Sequence, residues 1–167
     1  LLIRLGHAVT RVDAATVAVV IAWICAGVLA VLVCALGTAL WDRRTGLVLT
    51  ALLCAQPMSV VFSMGYSEPV FMMFAIGALL AAYRHRWLLA GLLGLAAGLT
   101  RPTGAAVALA LLVAAVVHVS RREHGRRRWW ALAGAGLAAT AMPAYLVWVG
   151  LRLGEPTAWF KVQTAGW

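Results

Sequence analysis

QPMSVVFSMGYSEPVFMMFAIGALLAAYRHRWLLAGLLGLAAGLTRPTG, residues 56–104, is the stretch that decides the fold. Two long apolar runs within it are separated by short polar punctuation. The punctuation carries an acid (Glu68), a base (Arg101), Tyr66, Ser67 and three prolines. Ionisable groups beside membrane-length apolar runs are costly and mark function more often than filler.

Working outward, the same plan covers the whole chain. Of 167 residues, 64% are hydrophobic and only 11% charged, against about 45–50% and about 25% in soluble domains. The expected fold is therefore all-α, a polytopic transmembrane helix bundle. About six membrane segments are expected in a single transmembrane domain, residues 1–167. Thr16–Leu40 is a continuous run of spanning length, closed by Trp41-Asp42-Arg43-Arg44. Leu47–Met64 is the second run, and Pro57 predicts a kink in it. Ser67 is a candidate cap for a helix over Glu68–Tyr83, with Pro69 in its first turn.

Trp87–Thr100 rises only about 21 Å, short of the ~30 Å hydrocarbon core. With Thr103–Val119 it forms a hairpin that is either two short spans or one re-entrant loop. Gly91, Gly94 and Gly98 fall at helical spacing and predict a close backbone approach. Trp129–Leu151 is the last run, with a bend expected at Pro143. The sequence opens on Leu1 in a mixed stretch that is neither a signal peptide nor a complete span, and closes on Trp167 in a polar loop, so the expectation is part of a longer chain.

The net charge of +9 lies in clusters between apolar runs, not in a basic stripe interleaved with aromatics. That pattern excludes nucleic acid as a partner and points to membrane lipid. With WDRR, YRHR and RREHGRRR on one side, that side holds nine of the 14 Lys/Arg and the other holds five. The basic side is expected to be cytoplasmic, and MGYSEP, LTRPTG and the C-terminal tail then face outward. Cys25, Cys34 and Cys54 lie within apolar runs with no CxxC spacing, so neither a metal site nor a disulfide is expected. No phosphate-cradling glycine loop or hydrolase motif is present, and no cofactor is expected.

The candidate binding residues are Arg101, Glu68, Tyr66, Ser67, Gln163 and Trp159. A cation at the start of the helix after Pro102 opposes the macrodipole unless an anion answers it. Arg101 and the first N–H groups of that helix are thus expected to favour a phosphate. The simpler reading is a structural pair with Glu68, or an arginine snorkelling to the headgroups. Glu68 suits a sugar hydroxyl or the guanidinium, but an acid in a first helical turn suits the dipole equally. Tyr66 is also an ordinary interface residue. Trp159 and Gln163 combine ring and polar tip, which fits a sugar or the interface.

These residues resemble the membrane glycosyltransferases of the GT-C class, most nearly the family of the second GPI mannosyltransferase (PIG-V type) and its actinobacterial relatives. The first block, P-x-S-x-x-x-S-x-x-Y-[ST]-E, is matched by Pro57, Ser59, Ser63, Tyr66, Ser67 and Glu68. The second, G-L-x-R-x-x-G, is matched by Gly98, Leu99, Arg101 and Gly104. The ending Trp159–Trp167 resembles an outward tryptophan–glutamine–tryptophan stretch of bacterial members. The resemblance implies transfer of a mannose from a polyprenyl-phosphate sugar donor to a lipid-linked or glycan acceptor on the outer face. Its catalytic carboxylate is expected upstream of Leu1, leaving this chain inactive alone. Asp13 has none of the family's motif around it. From the residues alone, a segment of a transporter or flippase for an anionic or lipid-linked substrate remains the alternative.

Overall fold

A computed structural model describes residues 13–121, 126–155, 157 and 161, excepting the side chains of residues 58, 63, 126 and 127. Among these the protein is all-helical. The α-helices are α1 (Ala14–Leu40), α2 (Arg43–Ala55), α3 (Glu68–Tyr83), α4 (Trp87–Thr100), α5 (Gly104–Ser120), α6 (Arg126–Ala139) and α7 (Ala141–Leu153). A 3-10 segment, Pro57–Ser63, follows α2. The helices form two compact units, residues 1–86 and 87–167.

In the first unit α1 is the central element. Asp13 caps it, its carboxylate accepting from the Ala15 N–H at 3.1 Å. Asp42 does the same for α2, accepting from the Thr45 N–H at 2.6 Å. The Thr45 hydroxyl and N–H hold the Asp42 carboxyl below the usual carboxylate range. The helices then fold back as a hairpin whose closest point is glycine on glycine. A Cβ on Gly37 would lie 2.8 Å from Gly46 Cα, and one on Gly46 would lie 2.5 Å from the Cys34 carbonyl. One turn on, the Thr50 hydroxyl donates to the Gly46 carbonyl at 2.9 Å.

The second leg does not kink at Pro57; it breaks. Helix α2 ends at Ala55, Gln56 turns extended (φ −63°, ψ 145°), and the chain resumes as 3-10 helix. Proline cannot donate to the preceding turn and pushes residue 56 out of the α region. Helix α3 returns parallel to α1, with Gly65 against Ala18 at one end. At the other end the Tyr83 hydroxyl donates to the Ala39 carbonyl at 2.6 Å. Ser67 is helical and makes no side-chain cap, contrary to the expectation, while Pro69 does occupy the first turn. The C-terminus of α3 is a Schellman closure. His85 adopts φ 55°, its N–H donates to Ala82, and the Arg86 N–H donates to Ala81.

In the second unit α4 and α5 form a hairpin and α6 runs parallel to α4. The expected glycine seam on α4 is observed, with α6 and α7 as its partner. A Cβ on Gly91 would meet the Gly134 carbonyl at 2.5 Å, and one on Gly94 would meet Ala138 Cβ at 2.8 Å. A Cβ on Gly98 would collide with Ala141 Cβ, and one on Gly104 with the Gly98 backbone. Ala131, Ala135 and Ala138 are buried along the same face of α6. The last run is interrupted for one residue at Thr140, between α6 and α7. Pro143 has no N–H to donate to the Ala139 carbonyl, so the helical ladder lacks one bond there. Helix α5 runs one residue further on at each end than expected.

Two helical stretches are long and apolar enough to cross a membrane, Ala14–Leu40 and the nearly continuous Arg128–Leu153. Only 17% of the most apolar part of the first, and 22% of the second, is buried within the protein. Trp23, Ile24 and Val31 on α1 and Val147, Trp148 and Leu151 on α7 present large apolar surfaces outward. A core helix would cover these faces. Helices α3, α4 and α5 are apolar but shorter, at 16, 14 and 17 residues, so the described helices do not by themselves give six spans.

Candidate functional site

The tip of the α4–α5 hairpin is built from six residues, Gly98 to Thr103. Helix α4 ends as the Arg101 N–H donates to Ala97 at 3.2 Å, and the Thr100 hydroxyl ties back to the same carbonyl at 2.6 Å. Pro102 stops the helix. The chain then closes a tight turn in which the N–H groups of Gly104, Ala105 and Ala106 donate to Arg101, Pro102 and Thr103. Gly104 against Gly98 lets the two helices meet without a side chain between them.

This geometry corrects the electrostatic reading of Arg101 in two ways. The first N–H groups of α5 are consumed within the turn, so they do not present a ready anion site. Arg101 also caps the C-terminus of α4, where a cation is favoured, while standing before the N-terminus of α5, where it is disfavoured. The two dipole ends oppose each other at this residue. Helix electrostatics alone therefore do not require an anion.

What distinguishes Arg101 is the cavity it lines. A small cavity of about 50 Å³ is bounded by Gly98, Leu99, Thr100, Arg101, Pro102 and Tyr145. Arg101 is half-buried there. Tyr145 comes from α7, one turn beyond Ala141, and its ring packs near Trp148 with centroids 6.3 Å apart. Sequence reading missed Tyr145. The only available signal was its position one helical turn past the small residues that receive the α4 glycines.

No protein-family model, curated protein or solved structure matches this chain.

The other candidate residues are distributed as follows. Tyr66, Ser67 and Glu68 lie in the first unit and Arg101 in the second. Tyr66 and Ser67 are exposed, Tyr66 60% so. Glu68 occupies the first turn of α3 and is half-buried. Gln163 and Trp159 lie outside the described residues. Lys161, near them in sequence, pairs with Glu155, an exposed ion pair of small energetic weight. Cys25 is buried, Cys34 half-buried and Cys54 exposed, all as thiols.

At the end of the second unit opposite Arg101, Trp87 is buried and its ring lies 5.1 Å from that of His118. Arg121 and Arg128 flank this end. In the first unit, Trp41-Asp42-Arg43-Arg44 and Tyr83-Arg84-His85-Arg86 share one end through the Tyr83–Ala39 hydrogen bond.

Proposed function

We propose that this chain is part of a multi-pass membrane glycosyltransferase. It would move a sugar, mannose by resemblance, from a polyprenyl-phosphate donor to a lipid-linked or glycan acceptor on the extracytoplasmic face of a plasma membrane. The observation that carries the reading is Arg101 at the tip of a tight hairpin, lining a cavity with Thr100 and Tyr145. A guanidinium beside a phenol supplies hydrogen-bond donors with positive charge, the chemistry that stabilises a departing lipid phosphate, while the Thr100 hydroxyl is already committed to the Ala97 carbonyl. The carboxylate that activates the acceptor hydroxyl would come from outside this sequence, and no metal step is invoked.

Sidedness supports the same reading. Within each unit the basic clusters gather at one end, and by the positive-inside tendency those ends are cytoplasmic. Arg101 is then on the outward half. Helix α6–α7 serves as a ruler: Ala141, which receives Gly98, is about 20 Å along the axis from Arg128. The hydrocarbon core is ~30 Å deep. A hairpin tip at that level suits the re-entrant reading better than two full spans, with Arg101 in a protein-lined recess where a charge is tolerated.

In the enzyme containing this chain, Arg101→Ala should lower transfer from a polyprenyl-phosphate mannose at least about hundredfold, with the protein still inserted. Wild-type rates in that variant would sink the assignment. A cysteine at Thr103 in a cysteine-free background should react with a membrane-impermeant reagent from outside, and one at Thr45 from inside. The reverse pattern overturns the orientation.

One observation favours a carrier instead: the break of α2 into 3-10 helix at Gln56–Pro57, since interrupted helices line transport sites. Substrate-dependent counterflow in proteoliposomes without transfer chemistry would select that reading.

A further inference from the structure

The basic end of the first unit is formed by two short loops, each held by its own backbone. Only Trp41 and Asp42 separate α1 from α2. The Trp41 N–H donates to Gly37 at 3.0 Å, and Asp42 caps α2. The second loop, Arg84 to Arg86, is fixed by the Schellman closure at His85. The Tyr83 hydroxyl, bonded to the Ala39 carbonyl, ties one loop to the other. Arg43, Arg44, Arg84 and Arg86 are all exposed at this end. Asp42 is the only acid in WDRR and YRHR, and its carboxylate already serves the cap. Four arginines against one aspartate leave a net charge of +3 with His85 neutral. Arg43 and Arg44 stand in the first turn of α2, where the dipole disfavours a cation, so helix stability does not account for them.

Within one helical turn the surface changes from charged to apolar. Leu47 and Val48 follow Arg43 and Arg44 at i+4 on the same faces of α2, and they are 53% and 56% exposed. Trp41 is exposed at the turn itself, as an interfacial indole is. Helix α1, which ends at this turn, is long and apolar enough to cross a membrane. We propose that this end of the first unit binds a phospholipid carrying two phosphates on a short bridge. One phosphate lies against Arg43 and Arg44, the other against Arg84 and Arg86, and the acyl chains run along Leu47 and Val48. Guanidinium groups match phosphate oxygens through paired N–H donors. Two cation pairs on two tied loops suit two linked phosphates better than one. The apolar strip one turn further on favours a lipid over a soluble diphosphate, because only a lipid covers both parts. Flexible basic segments gather anionic lipid by charge alone, whereas loops tied by Tyr83 hold their cations in a preorganised arrangement. The site lies within the first unit and does not involve Arg101.

The test is native mass spectrometry of the purified chain released from detergent micelles. The chain is titrated with diphosphatidylglycerol or with phosphatidylglycerol at equal total phosphate. A single diphosphatidylglycerol should be retained at least about tenfold more tightly than phosphatidylglycerol. Arg43→Gln with Arg44→Gln, and separately Arg84→Gln with Arg86→Gln, should each erase that preference. All four side chains are exposed, and loss of a cation from the first turn of α2 does not oppose its dipole, so the far-UV circular dichroism should be unchanged. Arg121→Gln with Arg128→Gln, the same loss of charge in the second unit, should leave the preference intact. Equal retention of the two lipids, or an equal loss in the variant at Arg121 and Arg128, would reduce the patch to bulk charge and overturn the site. If only one of the two first-unit pairs matters, no lipid bridges the loops and the proposal fails. Displacement by inorganic pyrophosphate at the concentration of the lipid would overturn the choice of a lipid.

Discussion

Replacing Gly91 by alanine adds one methyl group and should be among the most damaging small changes in the second unit. The added Cβ would lie 2.5 Å from the Gly134 carbonyl oxygen and 2.8 Å from its Cα. Both atoms are backbone of α6, so no rotamer change relieves the clash and α4 must move away. That movement also opens the contacts of Gly94 with Ala138 and of Gly98 with Ala141. Overpacking in a tight interior costs about 1–3 kcal/mol, and the upper end applies where backbone opposes backbone. The control is Gly136, on the same helix α6, where a Cβ meets nothing within 4 Å. There alanine should gain up to about 1 kcal/mol of helix propensity. The propensity gain is common to both variants, so they should differ by the overpacking cost alone, up to roughly 3 kcal/mol. Reversible unfolding of the protein in mixed micelles, followed by far-UV circular dichroism, measures the difference. Equal stability of the two variants, or a loss at Gly136 as large as at Gly91, would refute a backbone-contact seam.

Three further perturbations follow from local geometry. Tyr83→Phe removes the hydroxyl bonded to the Ala39 carbonyl and should cost about 1 kcal/mol, read from the same unfolding measurement. His85 holds the left-handed position of a Schellman closure, so His85→Val should destabilise by about 1–2 kcal/mol while His85→Asn stays near wild type; indistinguishable variants would remove the closure from the account. For Asp42, the folded carboxyl titrates below its unfolded value of about 3.9, so its contribution is complete above that pH and fades as pH falls through the folded value. The stability gap between wild type and Asp42→Asn should accordingly narrow between pH 5 and lower pH, roughly across that titration, and a gap independent of pH contradicts the cap.

The helices of the central stretch were legible because their ends are written in strong punctuation. Glu68–Tyr83 and Trp87–Thr100 begin and end where the polar residues say they should. The glycine seam was legible as spacing, but not its partner, since nothing local to α4 names the helix that receives it. Pro57 and Pro143 announced distortion without its form. A proline deletes one donor, and whether the helix merely lacks one ladder bond or changes to 3-10 depends on what packs beside it. Ser67 failed as a cap because its backbone is already helical, not in the extended region from which a capping hydroxyl meets the N–H groups of the first turn. At the site, Arg101 was visible as an isolated charge, whereas Tyr145 was not, because only the register of α7 against α4 brings it to the same recess.

The 3-10 segment changes the arithmetic of reach. An α-helix advances 1.5 Å per residue and a 3-10 helix about 2.0 Å. The thirteen residues of α2 and the seven of the 3-10 segment can therefore extend up to about 34 Å if collinear, what an α-helix needs about 23 residues to cover. The 3-10 half thus gives this leg more length per residue than its α-helical half. Its thinner, stretched half lies toward Tyr66 and Glu68, so residues are spared on the very side where the motif residues gather.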